Sequence, residues 1–119
     1  MKDSPIENKS LAFALRIIKM YQFLCEEKKE FVMSKQLLRS GTAIGALVRE
    51  AEQAESKPDF IHKMAVSQKE ANETDYWIEL LHKSGYIDEK QFNSITADIL
   101  ELKKLLASII ITSKKSLNK

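Results

Sequence analysis

The chain has 119 residues, 44% hydrophobic and 30% charged, which suits one globular domain and leaves no room for a second. Its 19 basic and 17 acidic residues give a formal charge of +2, without the strong positive excess of a dedicated nucleic-acid binder. The single Cys excludes an internal disulfide and a cysteine-based zinc site.

The start, Met1 to Asn8, carries Lys2, Asp3 and Glu7 and no apolar run, so it does not read as a secretory signal. The apolar runs, such as Ile109-Ile110-Ile111, fall far short of the about 20 residues of a membrane span. Together with the free thiol these features predict a reduced, cytoplasmic setting.

The first helix is predicted over residues 9–29. Its apolar residues form two adjacent seams, Leu11, Ala14, Ile18, Tyr21 and Cys25 beside Phe13, Ile17, Met20 and Leu24. The first seam is expected to face the core, which leaves the second as surplus. The second helix, 34–55, begins at Ser34 as its N-cap and carries the seam Leu37, Gly41, Ile44, Val48 and Ala51. Glycine inside a helix costs about 1 kcal/mol relative to Ala. Gly41 and Gly45, one turn apart, are therefore expected to mark a strip where a neighbouring backbone packs closely.

Ser56-Lys57-Pro58-Asp59 is a helix start signal. The third helix, 57–84, has the seam Phe60, Met64, Ser67, Ala71, Thr74, Ile78 and Leu81, and Gly85 is placed to end it in the left-handed conformation. Asp88 and Gln91 cap the fourth helix, 89–116, whose seam is Phe92, Ile95, Ile99, Leu102, Leu106 and Ile109. Short loops force consecutive helices to run antiparallel, and no segment has the pattern of a strand. The fold class is all-α, an up-down-up-down four-helix bundle occupying the whole chain.

If the second turn centres near Ser56, residues facing each other across helices two and three have numbers summing to about 112. Arg39 then faces Glu73, with Glu70 one turn away, and Glu50 faces His62 and Lys63. A partly buried ion pair of Arg39 with Glu73 or Glu70 is expected.

Catalytic chemistry has little to stand on. Glu79-Leu-Leu-His82 matches half of a di-iron motif, but the other half, Asp59-Phe-Ile-His62, lies on the same helix about 30 Å away. Cys25 lies on an apolar seam, and Ser67 on a core seam with its hydroxyl expected to bond within its own helix. Gly41 and Gly45 lack the Lys-Ser or Lys-Thr of a phosphate loop. The reading is a non-enzyme with no catalytic residue, cofactor or metal.

Lys28, Lys29, Lys35 and Arg39 gather around the first turn, and Lys103, Lys104, Lys114, Lys115 and Lys119 load the end of the fourth helix. These two groups are the candidate phosphate contacts, at opposite ends of one bundle. Tyr76 and Trp77 point about 100° apart and cannot both enter one core. With the surplus seam on the first helix they predict self-association, through Phe13, Ile17 and Met20 and one of Tyr76 or Trp77.

The stretch Ser34-Lys-Gln-Leu-Leu-Arg-Ser-Gly-Thr-Ala-Ile-Gly-Ala-Leu-Val-Arg-Glu-Ala51 closely resembles the signature of the bundle proteins of bacterial 23S ribosomal RNA intervening sequences. Asp59 to Ser67 and Lys69 to Trp77 are similar to that family's third helix. Ala43 stands where the family usually has Ser, and Leu47 where Asn is common. The resemblance implies antiparallel bundles assembled into rings, pentamers above all, with no catalytic activity or cofactor. Similarity of the family to accessory proteins of diversity-generating retroelements implies RNA or nucleoprotein as a partner. A protein-only scaffold is the alternative.

Overall fold

The computed structural model describes residues 4–117, and Lys119, named among the basic residues above, lies outside them. Four helices follow in chain order, α1 (Pro5–Glu26), α2 (Met33–Ala51), α3 (Lys57–Lys83) and α4 (Glu89–Leu117), with no strand among the described residues. Each helix packs on its chain neighbours, α1 closes the bundle against α4, and the diagonal pairs stay apart. Cross-helix ion pairs show the antiparallel order: Lys63 with Glu50, Lys103 with Asp75, and Lys9 with Glu101.

The helix ends are set by local chemistry. Ser4 Oγ accepts the Glu7 N–H (3.3 Å) and Pro5 stands in the first turn, so α1 starts four residues before the predicted position. That start carries Ile6 into the core. The helix also ends early, because Lys29 takes a positive φ of 54° and the Glu30 N–H reaches back to the Leu24 carbonyl (3.0 Å).

Ser34 is not the N-cap of α2. The buried Glu30 carboxylate does that work: Oε2 accepts from Val32 (3.2 Å) and Met33 (3.0 Å), and Oε1 from Ser34 (2.7 Å). One carboxylate satisfies three backbone donors that a single hydroxyl could not. Burial alone would raise the Glu30 carboxyl; these N–H bonds outweigh it and hold the group below its ordinary range. At the other end α2 stops at Ala51 rather than 55, where the N–H groups of Glu52, Gln53 and Ala54 turn to carbonyls three residues back.

Ser56 caps α3 by accepting the Asp59 N–H (3.2 Å). Gly85, at φ 88°, ends it: its N–H donates to His82 (3.1 Å) and that of Tyr86 to Leu81 (2.9 Å). Asp88 and Gln91 exchange side-chain bonds with each other's backbone N–H at the start of α4 (2.7 and 2.9 Å).

The core is a column of aliphatic side chains, including Leu37, Ile44 and Val48 of α2, Met64, Ile78 and Leu81 of α3, and Ile95, Ile99, Leu102 and Leu106 of α4. On α1 the structure reverses the expected faces. Phe13 (2% exposed), Ile17 (0%) and Leu24 (0%) fill the core, and Leu11 and Ile18 of the other seam face outward together with Leu15, which belongs to neither predicted seam. Gly41 explains the choice: a Cβ built there would lie 2.8 Å from Ile17 Cγ1. The bare α2 backbone makes a socket for a branched side chain, and Ile17 occupies it.

Between α2 and α3 the packing is by small polar groups. Ser67 Oγ donates to the Ile44 carbonyl across the interface (2.9 Å), not within its own helix as expected. Thr74 Oγ1 bonds Ser40 Oγ (2.9 Å) and the Glu70 carbonyl (2.8 Å). Ser40, Ser67 and Thr74 are fully buried, and their short side chains let the two helices approach.

Candidate interaction surfaces

The α1 residues expected at an interface belong to the core of the single chain. Phe13 and Ile17 lie inside the single chain, and Met20 is partly buried against the same core. The outward stripe is Leu11 (51% exposed), Leu15 (56%) and Ile18 (38%). It borders a groove of about 290 Å³ between α1 and α2, whose floor includes Ala14, Gly45 and Ala46 and whose end holds Glu7 and Arg49. Gly45 keeps this floor low; a Cβ there would meet Ser10 Oγ at 3.2 Å. The surplus apolar surface thus belongs to the other seam of the same helix.

Tyr76 and Trp77 separate as their positions require. Tyr76 is exposed, whereas Trp77 packs on the core and donates its Nε1–H to Glu73 (2.9 Å). The two rings meet edge to face at 5.2 Å. Leu100 and Ile111 of α4 are also exposed.

Arg39 reaches both acids of α3, Glu70 through Nη1 (3.2 Å) and Glu73 through Nη2. The guanidinium is half-exposed rather than sunk in the core, so the pair is a surface clamp on the α2–α3 seam. The Trp77 N–H, and then Arg39, hold the Glu73 carboxyl below its ordinary range. Arg39 is consequently engaged and not free for a phosphate.

The other predicted basic residues do not form one patch. Lys103 is bound to Asp75 (3.1 Å). Lys28 lies 5.9 Å from the centre of the Phe23 ring, and Lys29 and Lys35 are exposed near the buried Glu30. Lys104 is exposed in the middle of α4, and Lys114 and Lys115 are exposed on its last turn. Across from that end stand Lys57, Glu52, Glu55 and Asp59 of the α2–α3 turn; Lys57 Nζ bonds Ser116 Oγ at 3.3 Å. Both ends therefore mix the two signs of charge.

Three features escaped the sequence reading. A groove of about 410 Å³ runs between α1 and α4, and its lining includes Arg16, Lys19 and Lys90 but no acid. Those cations are spaced through two distant segments, so no charge run in the sequence marks them. Glu7 is 8% exposed, and its Oε2 and Glu52 Oε1 have no donor among the described residues. A proton shared with Glu52, then burial, then the Glu52 charge raise the Glu7 carboxyl above its ordinary value of 4.5; Arg49, 3.8 Å away, only partly opposes this. Glu30 is the third, hidden in what reads as a solvated charged run.

His82 stacks on Phe92 at 4.0 Å and bonds Glu89 (3.1 Å), and Glu79 pairs with Lys83. His62 stands exposed several turns away. No group of three or more His, Cys, Asp or Glu side chains converges on a point among the described residues. The half-buried Cys25 thiol lies 3.8 Å from Ser34 Oγ. No helix among the described residues is long and apolar enough to cross a membrane.

Comparison with known proteins agrees with this architecture. A crystal structure of a protein of unknown function from the S23 ribosomal protein family of Bacteroides thetaiotaomicron superimposes with a TM-score of 0.87 at 59% identity. The match covers 88% of this chain and 97% of that one. No curated protein matches the chain. The model of the 23S rRNA-intervening sequence proteins matches residues 2–108, and the chain belongs to that family.

Proposed function

We propose that the chain is a non-catalytic subunit of a homo-oligomeric ring, a pentamer, that works in the cytoplasm and presents repeated basic surfaces to RNA or nucleoprotein. The observation that carries assembly is the exposed stripe of Leu11, Leu15 and Ile18 beside the α1–α2 groove. Three large apolar side chains on one helix face favour burial by a partner. The exposed Tyr76, Leu100 and Ile111 lie on the other two helices, so one patch can meet a different patch on the next copy. Such head-to-tail contacts close into rings when the rotation allows.

The non-catalytic reading is supported by where the candidate nucleophiles stand. The Ser67 hydroxyl is committed to the Ile44 carbonyl, and the Cys25 thiol lies beside the Ser34 and Tyr21 hydroxyls with no histidine or other base among its hydrogen-bond partners. Light scattering at micromolar concentration tests the assembly. The parent should have a mass several times that of one chain, and Leu15→Lys with Ile18→Lys should reduce it to one chain without loss of helix content. A parent of single-chain mass would end this reading.

The protein-only scaffold has its own support, since Arg39 and Lys103 are tied to acids and both bundle ends carry mixed charge. RNA binding discriminates the two. A phosphate-binding ring retains RNA at low salt and releases it steeply as salt rises. A scaffold shows no retention at any salt concentration.

A further inference from the structure

We propose that the groove between α1 and α4 binds the phosphate backbone of single-stranded RNA, with Lys19 and Lys90 as its phosphate contacts. The inference rests on the RNA reading above and moves the site away from the bundle ends. It begins from an asymmetry of partners. Arg16, in the same groove, is engaged through both terminal nitrogens: Nη1 pairs with Asp98 (2.5 Å) and Nη2 donates to Ser94 Oγ (2.8 Å). Lys19, one turn on, and Lys90, in the first turn of α4, are exposed and have no partner among the described residues.

The remaining polar groups are donors as well. Gln91 Oε1 is occupied by the Asp88 N–H, which leaves its amide NH₂ to donate. Ser94 Oγ accepts from Arg16 and keeps its own proton for a ligand. With no acid in the lining, this wall offers protons and positive charge and no unclaimed carboxylate. An anion with several acceptor oxygens is its complement.

The floor selects among anions. Met20 and Phe23 line it, and Lys28 stands 5.9 Å from the Phe23 ring. Free phosphate has no use for an apolar floor, whereas a nucleotide strand sets its sugar or base there as its phosphates meet the lysines. The groove is on the α4 side of α1, opposite the α2 side where the apolar stripe borders its own groove. A ring built through that stripe leaves the donor groove open and repeats it once per subunit.

The test is fluorescence anisotropy with a labelled 20-nucleotide single-stranded RNA of mixed sequence, at several salt concentrations, on the full chain. Lys19→Glu with Lys90→Glu should weaken binding at low salt by about tenfold or more and reduce the salt slope by about two. Circular dichroism and light scattering should match the parent. Lys114→Glu with Lys115→Glu, at the bundle end, should stay within about twofold of the parent. If the end variant loses binding and the groove variant does not, the groove assignment is overturned and the RNA reading survives. A parent that fails to bind at low salt overturns both. An unlabelled duplex of the same sequence that competes as well as the single strand overturns the role of the apolar floor.

Discussion

The two sides of α1 are built on different principles. Toward α2, contact is made by small or absent side chains: Ile17 sits in the socket of Gly41, and Ser10 lies against Gly45. Toward α4, long charged side chains reach across, Arg16 to Asp98 and Lys9 to Glu101, and a groove stays open beyond Arg16, toward Phe23 and Lys90. The α2–α3 seam continues the first principle with Ser40, Ser67 and Thr74. Small residues let the α1 and α2 backbones approach, with an apolar-floored groove above Gly45, whereas the long polar residues toward α4 leave a groove lined by cations. Stability should therefore be concentrated on one side of α1 and binding on the other.

Truncation on the sealed side should have the largest effect. Ile17→Ala empties a fully buried socket and should cost about 3 kcal/mol in urea denaturation. A loss below about 1 kcal/mol would mean that the α1–α2 seam is not close-packed. Thr74→Val comes next, since it leaves the buried Ser40 hydroxyl without its partner on α3. That should cost about 2 kcal/mol.

The ion pairs sharpen the contrast at smaller scale. Glu73→Ala removes the acceptor of Trp77 and one of the two acids that hold Arg39, and should cost about 1 kcal/mol. Arg16→Ala breaks a similarly exposed pair whose acid holds no tryptophan N–H, and should cost about 0.5 kcal/mol. Equal losses at the two sites would erase the difference between the seams.

The pH dependence separates the two ends of the bundle. Glu30 has a lowered pKa, so its contribution is fully present above the ordinary carboxylate value of 4.5 and is lost as pH falls through the folded value. Glu7 has a raised pKa, so the fold favours its protonated form and stability declines as pH rises from about 4.5 through the folded value. Thermal melts of Glu7→Gln should lack that decline toward neutral pH. Melts of Glu30→Gln should lack most of the acid-side loss and lie below the parent at neutral pH. The opposite pair of outcomes would reverse the roles given to these two carboxyls.

Much of this was legible along the chain. The α3 seam from Met64 to Leu81 is the buried face, Gly85 is the left-handed stop, and Asp88 with Gln91 is a reciprocal cap. The short α2–α3 loop was enough to put Arg39 across from Glu73. The Glu30 cap was not legible, because it depends on a turn at Lys29 that brings a carboxylate back over the next helix. Lys19 and Lys90 come from opposite ends of the sequence and share a groove only after α4 folds against α1.

By itself the sequence determined the number of helices, their antiparallel order and the central buried positions of α2, α3 and α4; at the ends, Ile61 and Ile110 are buried where Phe60 and Ile109 were expected. Those properties follow from apolar periodicity, caps and loop length, which act within or between adjacent segments. Which of two equally apolar seams on α1 turns inward was decided only by tertiary structure. Both have helical spacing, and the choice depends on whether a side chain of α1 fits a bare stretch of the α2 backbone. That fit makes Ile17 core and leaves Leu11, Leu15 and Ile18 to the surface.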